Sequence, residues 1–173
     1  MIALFHQKWK FRDEWFRWCE DVPQVELTSG RFGGTGSILR GLFNIVDTEQ
    51  YWIRALAYGT EHHYSYEEHR DLDTLRTLSK RLRPLVEETV LAWSPEIDAS
   101  IRYVDMADGD RRGYGYGDVL RRLVAHEWHS QGQLFAWAGE LNMQPPGGGI
   151  FSSQSGHREG EGVNGRDAGW PRD

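Results

Sequence analysis

The stretch Asp118-Val119-Leu120-Arg121-Arg122-Leu123-Val124-Ala125-His126-Glu127-Trp128-His129-Ser130-Gln131-Gly132-Gln133-Leu134, continuing to Met143, decides the fold. It reads as one long helix. Leu120, Leu123, His126, Ser130, Leu134, Trp137 and Leu141 recur at steps of three and four, the period of one helix face. A face apolar at both ends is expected to be buried. His126 and Ser130 in its middle then need hydrogen-bond partners, because an unpartnered buried polar group costs free energy. The sequence therefore predicts a polar site inside a helical core.

Working outward, Ser100 to Tyr116 changes character. Ile101, Tyr103, Tyr114 and Tyr116 flank Asp108-Gly109-Asp110, which predicts a hairpin or extended crossover before the last helix. Upstream, Asp71 to Trp93 carries an apolar stripe of Leu72, Leu75, Leu82, Leu85 or Val86, Val90 and Trp93, with Pro84 expected to kink or divide it. Thr60 to Arg70 is a polar link holding His62, His63 and His69, whose spacing has no fixed ligand geometry and which read as surface histidines. Ser37 to Tyr58 is a second strongly amphipathic helix, with Gly59 as its stop. Glu49 falls within its apolar stripe and Asn44 at the edge, so both need partners. Gly33-Gly34-Thr35-Gly36-Ser37 is a loop whose Thr35 or Ser37 can cap that helix. It lacks the Gly-Lys-Ser/Thr ending and the preceding strand of a phosphate-binding loop. Met1 to about Asp21 is the first helix, ended by Pro23.

Four amphipathic helices with two polar links and a hairpin-like crossover predict an all-α four-helix bundle over residues 1–146, with sites built from side chains on facing helices. Residues 147–173 are rich in glycine, serine and charge without a period, and read as a flexible polar tail in which Ile150, Phe151 and Trp170 are the large apolar groups.

Composition narrows the function classes. The chain has 173 residues, a formal net charge of −6 and eight tryptophans. Its basic clusters, Lys80-Arg81-Leu82-Arg83 and Arg121-Arg122, sit on amphipathic helices as solvated faces, so nucleic-acid binding is not expected. No stretch is long and apolar enough to span a bilayer. Charged residues from Lys8 onward interrupt any signal-peptide run, and the single cysteine, Cys19, allows no internal disulfide; a cytoplasmic protein is expected.

Two segments carry a family resemblance. Ser37-Ile38-Leu39 through Asn44-Ile45-Val46-Asp47-Thr48-Glu49-Gln50-Tyr51-Trp52-Ile53 is similar to the second helix of the DinB/YfiT-like superfamily, where a histidine precedes a glutamate by five residues and Trp-Ile follows. His126-Glu127-Trp128-His129-Ser130-Gln131-Gly132-Gln133-Leu134 is similar to that family's His-Glu-x-His-His-x-Gly-Gln helix. Leu4-Phe5 and Trp9 also fit. The resemblance covers about residues 1–146 and implies a four-helix bundle, often dimeric, in which one histidine of the second helix and two of the last bind nickel or zinc. It implies a metal-dependent hydrolase or a thiol-dependent transferase acting on a small molecule. Carried over residue by residue, the ligand positions hold Asn44, His126 and Ser130.

An amide oxygen and a hydroxyl are poor ligands for nickel or zinc beside imidazole, so the metal centre is expected to be weakened or lost. His129 is a substitute ligand, but it lies one residue step, about 100°, from position 130. Glu49 is a further carboxylate if its helix faces His126. Three readings follow: a metal-dependent enzyme using Asn44, His126 and Ser130; a non-catalytic bundle that binds a small ligand or partner; and a Ser130–His126 nucleophile pair with Glu49 orienting the imidazole, for which no oxyanion hole is visible.

Overall fold

Three of the helix starts among the described residues are set by side chains that satisfy first-turn N–H groups. A computed structural model describes residues 1–147. In it Ser37 Oγ accepts from Arg40 N at 3.3 Å and Asp71 Oδ1 from Thr74 N at 2.8 Å. The elements are α1 (Ile2–Trp18), α2 (Gln24–Thr28), α3 (Ile38–Tyr58), α4 (Leu72–Leu91), α5 (Pro95–Asp98), β1 (Ile101–Asp105), β2 (Arg111–Gly115) and α6 (Tyr116–Glu140). Short 3₁₀ turns occupy Cys19–Asp21 and Tyr66–His69. The described chain is thus mostly helical, with a small two-stranded sheet. The segment read as the flexible tail, with Ile150, Phe151 and Trp170, lies outside the described residues apart from Gly147.

The second helix has the predicted limits: Ser37 is its N-cap, and Gly59 closes it at φ +71°, a left-handed conformation that glycine adopts without strain. Pro84 does not divide α4, which runs unbroken through it. The crossover is an antiparallel hairpin in which Tyr103 pairs with Gly113 and Val104 with Arg112. Met106 to Asp110 make its turn, and a bridge from Thr60 to Asp105 ties it to the end of α3. The last helix begins two residues earlier than the sequence suggested, at Tyr116, whose buried phenol donates to Thr89 O at 2.8 Å.

Helix α3 packs against α4 and α6, and α1 against α4 and α6, so the four long helices share one interior. That interior has two apolar halves. One gathers Trp15, Phe16, Leu39, Leu42, Val46, Leu75, Leu134 and Trp137; the other gathers Phe5, Trp9, Ile53, Leu56, Val86, Leu120 and Leu123. Along α1, α3 and α6 alike, the residues between the halves are polar: Arg12, Glu49, and Glu127 with Gln131. No helix among the described residues is long and apolar enough to cross a membrane.

Candidate functional site

The polar layer between the two apolar halves is a closed ionic cluster. Lys8 and Arg12 stand one turn apart on α1, on the face that also carries Phe5, Trp9 and Phe16. Arg12 reaches both carboxylates in bidentate fashion: Nη1 and Nη2 donate to Glu49 at 2.7 and 2.9 Å, and Nε and Nη2 donate to Glu127 at 2.9 and 2.5 Å. Lys8 Nζ lies 2.5 Å from Glu49 and 3.1 Å from Glu127. Trp9 Nε1 donates to Glu49 at 3.1 Å, and Gln131 Nε2 approaches Glu127 at 3.5 Å. All four charged residues are at most 4% exposed. Two cations face two anions, so the cluster is neutral. Burial alone would raise the Glu49 pKa, but Arg12 and Lys8 outweigh it and hold the carboxyl well below its ordinary range. Burial would likewise lower the Arg12 pKa, and Glu127 and Glu49 more than reverse that.

This layer corrects two expectations. Glu49 neither orients His126 nor offers a free carboxylate, because Lys8, Trp9 and Arg12 engage both its oxygens. The buried polar residues of α6 are Glu127 and Gln131, while His126 and Ser130 are only half-buried and His129 is exposed. The core-facing stripe of α6 is Leu120, Leu123, Val124, Glu127, Gln131, Leu134 and Ala138, rotated by one residue in its middle from the one read off the sequence. Sequence reasoning missed Lys8, Arg12 and Glu127. The available signal was the placement of Lys8 and Arg12 among Phe5, Trp9 and Phe16, and of Glu127 between Val124 and Leu134, all at helical spacing.

A second polar region lies beside this layer, between α3 and α6. A cavity of about 150 Å³ is lined by Gly34, Thr35, Gly41, Asn44, His126, His129, Ser130, Gln133 and Trp137. The structure thus brings Asn44, His126, His129 and Ser130 to one place. Asn44 Nδ2 donates to His126 Nε2 at 3.2 Å, which leaves the ring proton on Nδ1. Burial lowers the His126 pKa; Lys8, His129 and Arg12 push the same way and Glu127 opposes. A neutral imidazole that accepts through Nε2 fits both facts.

The glycine loop roofs this cavity. Trp137 Nε1 donates to Phe32 O at 3.2 Å, and Arg31 N to Gly36 O at 2.7 Å. Gly34, at φ +50°, lies so close to Gln133 that a Cβ there would fall 2.2 Å from Gln133 Oε1. Gly41 lets α3 approach α6: a Cβ on it would come within 3.2 Å of Leu134 Cδ2.

These donors do not fit a nickel or zinc centre. The imidazole lone pair that would coordinate the ion accepts the Asn44 amide instead, and the remaining groups, an amide oxygen and a hydroxyl, are weak ligands for those ions. His129 lines the cavity but is exposed. Ser130 shares the cavity with His126, yet the imidazole nitrogen facing α3 is taken by Asn44. Of the linker histidines, His63 is exposed with Nδ1 2.8 Å from Asp47 Oδ2, whereas His69, expected at the surface, is buried with Nδ1 2.9 Å from Ser65 O. Ring packing of His69 against Phe43 and Tyr64 draws it inward.

The chain is 32% identical over 145 residues, 84% of its length and 90% of the relative's, to "Uncharacterized protein YizA" of Bacillus subtilis (strain 168). The DinB family model matches residues 1–152, and with that match the chain belongs to the DinB family.

Proposed function

We propose that this chain is a four-helix bundle of DinB type whose cavity between α3 and α6 binds a small, uncharged polar ligand without the divalent ion implied by the family resemblance. The Asn44–His126 hydrogen bond carries this reading. With that imidazole nitrogen engaged, the Asn44 amide still has its oxygen to accept from a hydroxyl or amide ligand. Ser130 and Gln133 add two further hydrogen-bonding groups, and Trp137 adds an apolar wall. A volume of about 150 Å³ limits the ligand to a few heavy atoms.

A second reading keeps metal-dependent hydrolase or thiol-dependent transferase activity. The observation in its favour is that two histidines, His126 and His129, line the same cavity. It requires Asn44 to release His126 and His129 to turn inward.

Calorimetric titration of untagged protein with Ni²⁺ and Zn²⁺ separates the two. The wild type is expected to bind neither ion tighter than about millimolar, because two of three positions are weak donors. The double variant Asn44→His with Ser130→His is expected to bind at least about a hundredfold tighter, since it supplies three imidazoles from facing helices. Micromolar binding by the wild type that His126→Ala abolishes would establish the metal reading instead.

A further inference from the structure

A larger cavity, of about 470 Å³, opens on the other side of the glycine loop and is lined by Thr28, Thr35, Gly36, Ser37, Arg40, Tyr66 and Arg70. We propose that it binds the phosphate group of a small phosphorylated molecule. Two guanidiniums from different elements converge on it, Arg40 from the first turn of α3 and Arg70 from the segment after the 3₁₀ turn. Among the described residues no carboxylate lines it. Arginine forks match the oxygens of a phosphate and bind them through charge-assisted hydrogen bonds.

Arg40 is held through its side chain and Arg70 through its backbone. The Arg40 guanidinium lies 4.7 Å from the centre of the Tyr66 ring and has no carboxylate within ion-pair distance among the described residues. The backbone of Arg70 is fixed where its carbonyl accepts from Gln24 Nε2 at 2.9 Å. Its side chain pairs with Glu67, but both partners are about 60% exposed, so a ligand meets little resistance from that pair.

The loop supplies hydroxyls that the protein itself leaves unused. Ser37 is 6% exposed; its Oγ accepts the Arg40 amide, and its own proton has no acceptor among the described residues. Thr35 Oγ1 is buried and has no hydrogen-bond partner there, but it lies beside Gly41 on the side of the smaller cavity, so Ser37 is the loop hydroxyl left to this one. The start of α3, a helix of 21 residues, adds the positive end of its dipole. Two arginine forks and a hydroxyl around one cavity suit a tetrahedral dianion. The Tyr66 ring offers an apolar wall to the rest of the molecule. The loop lacks the lysine of a nucleotide-binding glycine loop, and arginines from outside the loop take its place.

This cavity meets the Asn44–His126 cavity only at Thr35, so its ligand is independent of whether that other site takes a metal. The test is titration of the full chain with inorganic phosphate and phenyl phosphate, with benzoate in parallel, against chloride at equal ionic strength. Saturable binding of both phosphates is expected, with benzoate weaker. Arg40→Gln and Arg70→Gln should each weaken it by about tenfold, the loss typical of a hydrogen bond to a charged group. Both residues are exposed, so the urea midpoint should not move, and it serves as the control for folding. Phosphate uptake no different from chloride, binding unchanged in both variants, or benzoate binding as tightly as phenyl phosphate would each overturn the proposal.

Discussion

The protein holds two polar regions side by side between α1, α3 and α6, and they differ in one respect. In the ionic layer of Lys8, Arg12, Glu49 and Glu127, each charge meets an opposite one and water is excluded. In the cavity at Asn44, His126 and Ser130, one hydrogen bond joins the two helices, and the remaining groups face open space. A closed, mutually satisfied cluster specifies how helices meet. A half-satisfied cavity has capacity left for something else. The residues sit on the same helices: Asn44 and Glu49 are five apart on α3, and His126 and Glu127 are adjacent on α6. On α6 a single residue step, about 100°, separates the residue of the ionic layer from the one that lines the cavity.

The comparison breaks first on stability. Arg12→Ala leaves two buried carboxylates facing Lys8 alone and should cost about 3–5 kcal/mol, the range for removing one partner of a buried ion pair. Asn44→Ala removes one hydrogen bond at a half-buried site and should cost no more than about 1.5 kcal/mol. Urea unfolding of both variants with unchanged slopes checks this, and equal costs would erase the distinction.

A smaller effect tests the roof. Gly34→Ala places a Cβ in a left-handed conformation and pushes on the Gln133 amide. The expected loss is about 1–2 kcal/mol, mostly backbone strain. Combining it with Gln133→Ala should recover only the part due to contact, a coupling read from a double-mutant cycle.

The smallest effect is on pH dependence, where the two regions should separate. Both Glu49 and His126 have pKa values lowered by folding, so in each case the unfolded chain takes up protons first and acid destabilises the fold. For His126 the contribution is complete above its ordinary value of 6.5 and fades as the pH falls below it. For Glu49 it is complete above 4.5 and fades below that. Urea midpoints followed from neutral to acid pH should show a shallow first decline that His126→Gln removes, and a steeper second one that it leaves intact.

Much of this was legible in the sequence, and the gaps have a physical reason. Ser37 and Gly59 bracket the second helix because a hydroxyl cap and a left-handed glycine are local signals. The hairpin at Asp108-Gly109-Asp110 was equally local. Glu49 stood out as an acid on an apolar stripe, but its partners did not, because Lys8 and Arg12 lie 41 and 37 residues away in sequence and charge ordinarily signals exposure. On α6 the apolar period gave the buried positions to His126 and Ser130, and Glu127 beside them went unremarked. Periodicity put His126 and Ser130 on one face and a family resemblance joined Asn44 to them, but nothing in the spacing foretold that the amide would take up the imidazole nitrogen.

The state of that nitrogen is the most direct test. Long-range ¹⁵N–¹H correlation spectra of the histidine rings, recorded at neutral pH with and without equimolar Zn²⁺, report which His126 nitrogen carries the proton and whether a metal displaces it. The expected result is a neutral ring protonated on Nδ1, with an Nε2 signal that Zn²⁺ leaves in place. A His126 Nε2 resonance that shifts or vanishes with equimolar Zn²⁺, together with Zn²⁺ uptake that His126→Ala abolishes, would contradict it and restore a metal to the centre of the site.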